Sequence, residues 1–212
     1  MTFPLDWLQY KTQGSTDISI DQSTPIIGHG SLTVNTIAAD RVTLHNTTYI
    51  NGLLLGTMQS IFKITTHTSV SRAYTGFVFM QDNPDVSLIT SVGYGVFFSS
   101  LSGLTSSRIS IVKFTTGLPA SPTELAFTTA FTPPTLGSNF VLSAIWTSSF
   151  AGTSIIVEYA TGTSFLNLLA LLNVNDSVSP IVTTSYESLA VSSTGTGTYN
   201  VLFDETSIFE IF

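Results

Sequence analysis

The sequence predicts an all-β protein, a two-sheet antiparallel sandwich. Three observations carry that expectation. The chain holds 29 Ser and 33 Thr among its 212 residues, and such short hydroxyl side chains suit strands, turns and closely packed polar surfaces better than helices. Its apolar residues, 43% of the total, fall in short alternating or wholly apolar stretches, each closed by Gly, Pro, Asn or Ser. The spacing of these stretches is that of a sandwich or barrel.

Taken in order, residues 1–30 are rich in turn formers (Pro4, Gly14, Pro25, Gly28 and Gly30) and form an arm or the first strands. A single sandwich domain is expected over residues 31–212. Thr57 to Thr65 and Tyr74 to Met80 are strands. Ser91 to Phe98 places Val92, Tyr94 and Val96 on one face, with small residues opposite until Phe97. Arg108 to Phe114 puts Ile109, Ile111 and Lys113 on one side and Val112 and Phe114 on the other, a strand partly covered on both faces. Asn139 to Thr147 and Thr153 to Ala160, joined by Ser-Ser-Phe-Ala-Gly, form a hairpin. Further strands are Pro180 to Ser185, Ser188 to Ser192, Tyr199 to Asp204 and Ile208 to Ile211. Ser164 to Leu172 stays open between a strand and one or two helical turns, because Leu, Ala and Asn are mediocre strand formers.

Charge narrows the function classes. Only 9% of residues are charged, against about 25% in an ordinary globular protein. The net charge is −7, and the six cations are Lys11, Arg41, Lys63, Arg72, Arg108 and Lys113. Displacing counterions from phosphates needs clustered Lys and Arg, so nucleic acid is not an expected partner. With no Cys, disulfides and thiolate metal sites are excluded. The start of the chain lacks a basic segment followed by an apolar stretch, which predicts synthesis and folding in a cytoplasm. The longest unbroken apolar run, Leu168 to Leu172, is far too short to span a bilayer, so no membrane insertion is expected. By size scaling a monomer of 22.7 kDa exposes roughly 9,500 Å², a large surface for so few charges. Shielding by neighbouring copies or partner proteins is therefore expected, as in a stable homo-oligomer or larger assembly.

Few constellations point to chemistry. Two carboxylates flanking a glycosidic bond are the minimum for hydrolysis, and the acids here are isolated. Asp204 and Glu205 are adjacent, so a continuous strand sends them to opposite faces unless a bulge intervenes. His29, His45 and His67 lie far apart and read as surface or hydrogen-bonded loop residues. No Gly-x-Ser-x-Gly elbow occurs. Asp82, Asn83 and Asp85 gather oxygen ligands suited to calcium, while Asp-Asn-Pro-Asp is equally a turn sequence whose side chains satisfy their own backbone. Trp7, Tyr74, Tyr94, Trp146 and Tyr159 are the aromatic residues that could stack on sugars; most are expected in the core, Trp146 because it ends an apolar strand and Tyr94 because it alternates with Val92 and Val96. Trp7, with Leu8 and Tyr10 in an aromatic-rich segment, and Tyr74 are the candidates for an interface or a ligand platform.

With the strands placed, the later chain resembles the concanavalin A-like jelly roll of lectins, laminin-G modules and glucanases. The likeness runs through Gly76-Phe-Val-Phe-Met-Gln81, Gly93-Tyr-Gly-Val-Phe-Phe98, Arg108-Ile-Ser-Ile-Val-Lys-Phe114, Val141-Leu-Ser-Ala-Ile-Trp146, Gly152-Thr-Ser-Ile-Ile-Val157 and Val201-Leu-Phe-Asp-Glu-Thr-Ser-Ile208. The resemblance implies that the last strand closes the sandwich, with Asp204 in a structural role. Members of this fold bind sugars, cleave glycans or serve as structural modules. The Glu-x-Asp-x-x-Glu pattern of the glucanases is absent here, which implies a non-enzymatic protein without a required cofactor. In composition the whole chain also resembles accessory virion proteins of tailed bacteriophages. That likeness implies a capsid decoration or cement protein of the virion, made in the host cytoplasm, with major capsid or tail proteins as partners. A trimer would suit capsid threefold positions. The alternative is a carbohydrate-binding, receptor-recognising module of a tail fibre or adaptor, with a glycan as partner.

Overall fold

The computed structural model describes residues 7–21, 26–27, 31–46, 54–83, 92–115, 122–182 and 186–210, with the backbone alone for 7–21, 37–46, 69–70 and 209–210. Ten strands are described: β1 (Trp7–Asp21), β2 (Ser31–Asn46), β3 (Leu55–Gln81), β4 (Gly93–Leu101), β5 (Thr105–Phe114), β6 (Thr123–Thr128), β7 (Asn139–Ser149), β8 (Gly152–Thr161), β9 (Leu169–Asp176) and β10 (Tyr186–Glu210). No helix among the described residues is long and apolar enough to cross a membrane.

All pairings are antiparallel, in the order β1-β2-β10-β3-β4-β5-β6, with β7 on β3, β8 on β7 and β9 on β8. The long strands belong to both layers of the sandwich. Leu55 to Lys63 of β3 pair with β7, whereas Ala73 to Phe79 pair with β4. β10 follows the same course: Ser188 to Thr194 run beside the β4-paired half of β3, and Thr198 to Glu210 beside the β7-paired half. Between these halves the register slips at Gly195, whose φ is 105. Such an irregularity sharpens the bend of a strand, and a glycine adopts that backbone without a Cβ penalty. The front layer thus ends in β4, β5 and β6, the back layer in β7, β8 and β9.

The core lies between them. Inward-facing rings interdigitate: Phe62 of β3 stacks on Phe140 of β7 at 5.2 Å, Phe98 of β4 meets Phe140 at 5.1 Å, and Phe79 lies flat on Trp146 at 4.5 Å. Trp146 and Tyr94 are fully buried, as the apolar strand ending in Trp146 and the alternation of Tyr94 with Val92 and Val96 predict, and Tyr159 is nearly so. Gly76 is required by close approach, since a Cβ there would sit 2.0 Å from the Val96 carbonyl oxygen.

Some local expectations differ from the structure. Ser164 to Leu172 contains both alternatives in sequence: the Ser164 side chain caps a 3-10 turn at Phe165–Asn167, and edge strand β9 follows. The described part of Pro180 to Ser185 is not a strand. Ile181 is instead an anchored, buried residue of a crossing segment. His67 is neither surface nor loop: it lies in β3, 2% exposed, with Nδ1 3.4 Å from the Ser100 hydroxyl and Leu104 N. Burial pulls its pKa down to about 4. The side chain of His45 and all of His29 fall outside the described residues.

Candidate ligand-binding face

The outer face of the front layer carries a second, smaller apolar cluster of Val78, Phe97, Val112, Phe114 and Ala190, all buried. Beside it the register lines up a polar row across five strands. Arg41 pairs with Ser192, Ser192 with Tyr74, Tyr74 with Ser99, and Ser99 with Arg108. Directly opposed residues of antiparallel strands share a face, so antiparallel pairing assembles this row from residues far apart in sequence. The next row of that face runs Ala190, Gly76, Phe97, Ser110, Phe127.

Side chains on this face touch as the register requires. The Tyr74 ring stands edge-on to Phe97 at 6.3 Å. Arg72 donates from Nη1 to the Ser99 hydroxyl at 3.4 Å. The Arg108 guanidinium lies 5.3 Å above the Phe127 ring and 2.6 Å from Glu124 Oε2, while its Nε is buried without a hydrogen-bond partner. Ser99 and Ser110 are buried beneath these groups, whereas Phe127 is 55% exposed. Tyr74, Arg72, Arg108, Glu124 and Phe127 thus share one face of the sheet, bringing rings and polar donors together.

A second polar group is internal. Lys113 reaches from β5 into the sandwich, donating to Asp176 Oδ2 at 2.7 Å, to Val178 O at 2.8 Å and to Ser179 O at 2.7 Å. Tyr94 OH also donates to Asp176 Oδ2 at 2.7 Å and accepts from Ile181 N at 3.0 Å. Burial alone would raise the Asp176 carboxyl, but bonds from Lys113 and Tyr94 and the Lys113 charge outweigh it and hold it below the usual carboxylate value. Burial pushes the Tyr94 hydroxyl up to about 12. Every ammonium proton of Lys113 has an acceptor, so this cluster fastens residues 176–181 over the layers and offers no free group for chemistry.

The remaining sequence candidates separate by role. Asp82 closes its own loop: Oδ1 accepts Val92 N at 2.8 Å and Asp82 N donates to Val92 O. This is the turn-closing role, while Asn83 stands beside it and Asp85 lies outside the described residues. Among the described residues no group of three or more His, Asp or Glu could hold a metal ion. Asp204 does not converge with Glu205 on a reaction site. It sits at a bulge where Glu205 has φ 49, and its Oδ2 accepts Ser31 Oγ at 2.7 Å and Ile27 N at 2.9 Å, tying the start of β2 to β10. Trp7, Leu8 and Tyr10 belong to β1, whose backbone pairs Leu8 with His45 and Tyr10 with Thr43; their side chains lie outside the described residues. Tyr74 alone of the platform candidates has a described side chain on the face. Sequence reasoning missed Arg72, Arg108, Glu124 and Phe127, although the parity of Arg108 with Ser110 and Val112 already separated it from the inward set. It also missed Glu187, buried at 3% exposure, whose carboxyl burial pushes up to about 8.

The architecture is that of a legume-lectin-like, concanavalin A-like jelly roll, and solved structures place it there. The carbohydrate recognition domain of Emp47p superposes with a TM-score of 0.68 at 10% identity, covering 100% of this chain and 91% of that one. The exoplasmic/lumenal domain of VIP36, in its Ca2+/Man3GlcNAc-bound form, gives 0.60 at 16%, covering 97% and 86%. A Bacteroides ovatus mixed-linkage glucan GH16 protein in complex with a G4G4G3G product gives 0.65 at 11%, covering 98% and 96%. At these identities the likeness defines the fold. Neither a protein-family model nor a curated protein matches the sequence.

Proposed function

We propose that this chain is a non-enzymatic carbohydrate-binding module whose ligand lies on the outer face of the front layer. The observation that carries the reading is the grouping of the Tyr74 and Phe127 rings with the Arg72, Arg108 and Glu124 side chains on one sheet face, where Phe127 is exposed and Tyr74, Arg72 and Arg108 are half-buried. Rings supply stacking area and the polar groups supply direction, the combination by which sugars are recognised. Hydrolysis would need a second carboxyl across the bond from the first, and Glu124 is already committed to Arg108. The likeness to the carbohydrate recognition domain of Emp47p and to the Man3GlcNAc-bound domain of VIP36 supports the class of ligand. Glycan-array binding by the purified chain, lost in Tyr74→Ala and Phe127→Ala variants that keep the parent melting temperature, is the expected result. Binding unchanged in both variants would reject this face.

A second reading concerns where such a module is displayed: on a tailed-bacteriophage virion, made in the host cytoplasm, as an oligomeric decoration or tail component. It is favoured by the 9% charge content and by an apolar end of the back layer. Leu54, Phe150 and Val178 are 42%, 93% and 78% exposed. They gather at the tip of the β7–β8 hairpin, where Ser148 N donates to Leu54 O and Thr153 pairs with Asp176. Light scattering should return a multiple of 22.7 kDa, reduced by Phe150→Asp. A strictly monomeric mass at high concentration would reject the assembly.

A further inference from the structure

We infer that the glycan is acidic, and that Arg72 and Arg108 read its anionic groups. This deepens the carbohydrate-binding reading and rests on it. The chain has six cations against thirteen acids and a net charge of −7, so a chance grouping of positive charge on one face is not what composition favours. Nevertheless Arg108 and Arg72 flank Tyr74 and Ser99, and Arg41 occupies the same register row on β2. Lys113, by contrast, is consumed inside the fold.

The two described arginines have donors to spare. Arg108 engages Glu124 through Nη2 and rests one face of its guanidinium on Phe127, while Nε is buried out of a ligand's reach, so the outer Nη groups are the ones available to a ligand. Arg72 makes a long 3.4 Å bond to Ser99. A planar guanidinium fork matches a carboxylate or sulfate bidentately, which a neutral hydroxyl does not exploit. Neighbouring strands lie about 4.8 Å apart, so Tyr74 and Arg108 are about 10 Å apart along the row, and an extended chain of sugar rings crossing the strands would meet Tyr74, then Arg108. The overall negative charge does not forbid this. Screening confines it to about 8 Å at physiological ionic strength, so acids farther off do not cancel Arg72 and Arg108. Glu124 is the internal competitor: it occupies the position on Arg108 that a ligand anion would take.

The test is calorimetric titration of the full chain with four probes: oligogalacturonate, its fully methyl-esterified form, a sulfated galactan oligosaccharide, and a single-stranded oligonucleotide of matched charge. Binding to the carboxylated or the sulfated saccharide, with at least tenfold weaker binding of the ester, is expected. The stronger of the two identifies the anion. Arg72→Gln and Arg108→Gln should each weaken that binding about tenfold, the loss of one charge-assisted contact, with the far-ultraviolet spectrum and melting temperature unchanged. Glu124→Gln should tighten it, a gain that misfolding cannot imitate, and added salt should weaken it. Equal binding of the ester, or preference for neutral glycans on the array, overturns the acidic inference and leaves the carbohydrate reading standing. No binding to any saccharide overturns both. An oligonucleotide bound as tightly as the saccharides overturns the inference in favour of charge alone.

Discussion

Replacing Lys113 by Met tests whether the buried ionic cluster holds the two layers together. The substitution keeps the length of the apolar stem and removes the ammonium, leaving Asp176 Oδ2, Val178 O and Ser179 O without the donor that reached them at 2.7, 2.8 and 2.7 Å. The side chains of Lys113 and Asp176 are 10% and 5% exposed, so water has little access to the stranded carboxylate, whereas the carbonyls of the exposed Val178 and Ser179 can rehydrate. Breaking such a pair from one side costs about 3–5 kcal/mol. For a chain of this size, each kcal/mol lowers the melting temperature by about 2–4 °C, which predicts a fall of roughly 6–20 °C. The pH dependence has a definite sign. The folded Asp176 pKa lies below its ordinary value, so the pair's contribution is fully present above the unfolded carboxyl value of about 4 and is lost as pH falls through the folded one. Scanning calorimetry should therefore show the gap between parent and variant widest near neutrality and closing on acidification. Adding Asp176→Leu to the Lys113→Met variant should recover much of the loss, because it removes the stranded carboxylate. A single variant melting within about 2 °C of the parent at neutral pH, or a gap that ignores pH, would refute the reasoning.

Glu187 carries the opposite linkage. Its folded pKa is raised to about 8, so the folded state binds the extra proton between the unfolded value and that point, and stability falls as pH rises across that window. Glu187→Gln should flatten this slope and melt several degrees above the parent at alkaline pH, with the difference shrinking toward pH 5; identical slopes would count against it. Asp204→Ala frees Ser31 Oγ and Ile27 N and should cost about 1–3 kcal/mol, read as a lower denaturant midpoint with new proteolysis before β2. Because Asp82 Oδ1 already closes its loop on Val92 N, a chelator should leave the melting temperature unchanged. A drop reversed by calcium would instead assign an ion to Asp82, Asn83 and Asp85.

The strands with clean alternation were legible in the sequence because their pattern is local. Ser91 to Phe98 and the hairpin of Asn139 to Ala160 fall on β4, β7 and β8 within a few residues. The continuity of β3 and β10 was not legible. Their bends contain Ser, Thr and Gly, which read as loop signals, yet the chain stays paired through them by bulges that only a neighbouring strand defines. β9 is ambiguous in the sequence for a related reason: Leu169-Ala-Leu-Leu-Asn is a poor strand by propensity and becomes one because β8 offers it a ladder. At the candidate site Tyr74 could be singled out by residue type. Arg72 and Arg108 could not, since their convergence depends on long-range register rather than on spacing. His67 and Glu187 show the same limit, for burial of a titratable group within a polar stretch leaves no mark in the pattern.

The two ion pairs between described side chains use similar chemistry to different ends, and exposure decides which is which. In Lys113–Asp176 the partners are 10% and 5% exposed; in Arg108–Glu124 both are 31% exposed. The first cannot exchange partners, because any competing anion would have to enter the sandwich and displace a carboxylate also held by Tyr94. The second is a surface pair, worth about 0–1 kcal/mol, so swapping Glu124 for a ligand anion costs Arg108 little. A weak pair over an exposed ring keeps the guanidinium oriented in the free protein and gives it up on binding. That pre-orientation is why Glu124→Gln should raise affinity for an acidic saccharide only while Phe127 still holds the guanidinium in place. Phe127→Ala in the Glu124→Gln background should abolish the gain and take binding below the parent's, since the stacking ring is lost and a freed but disordered Arg108 must spend side-chain entropy to engage its ligand.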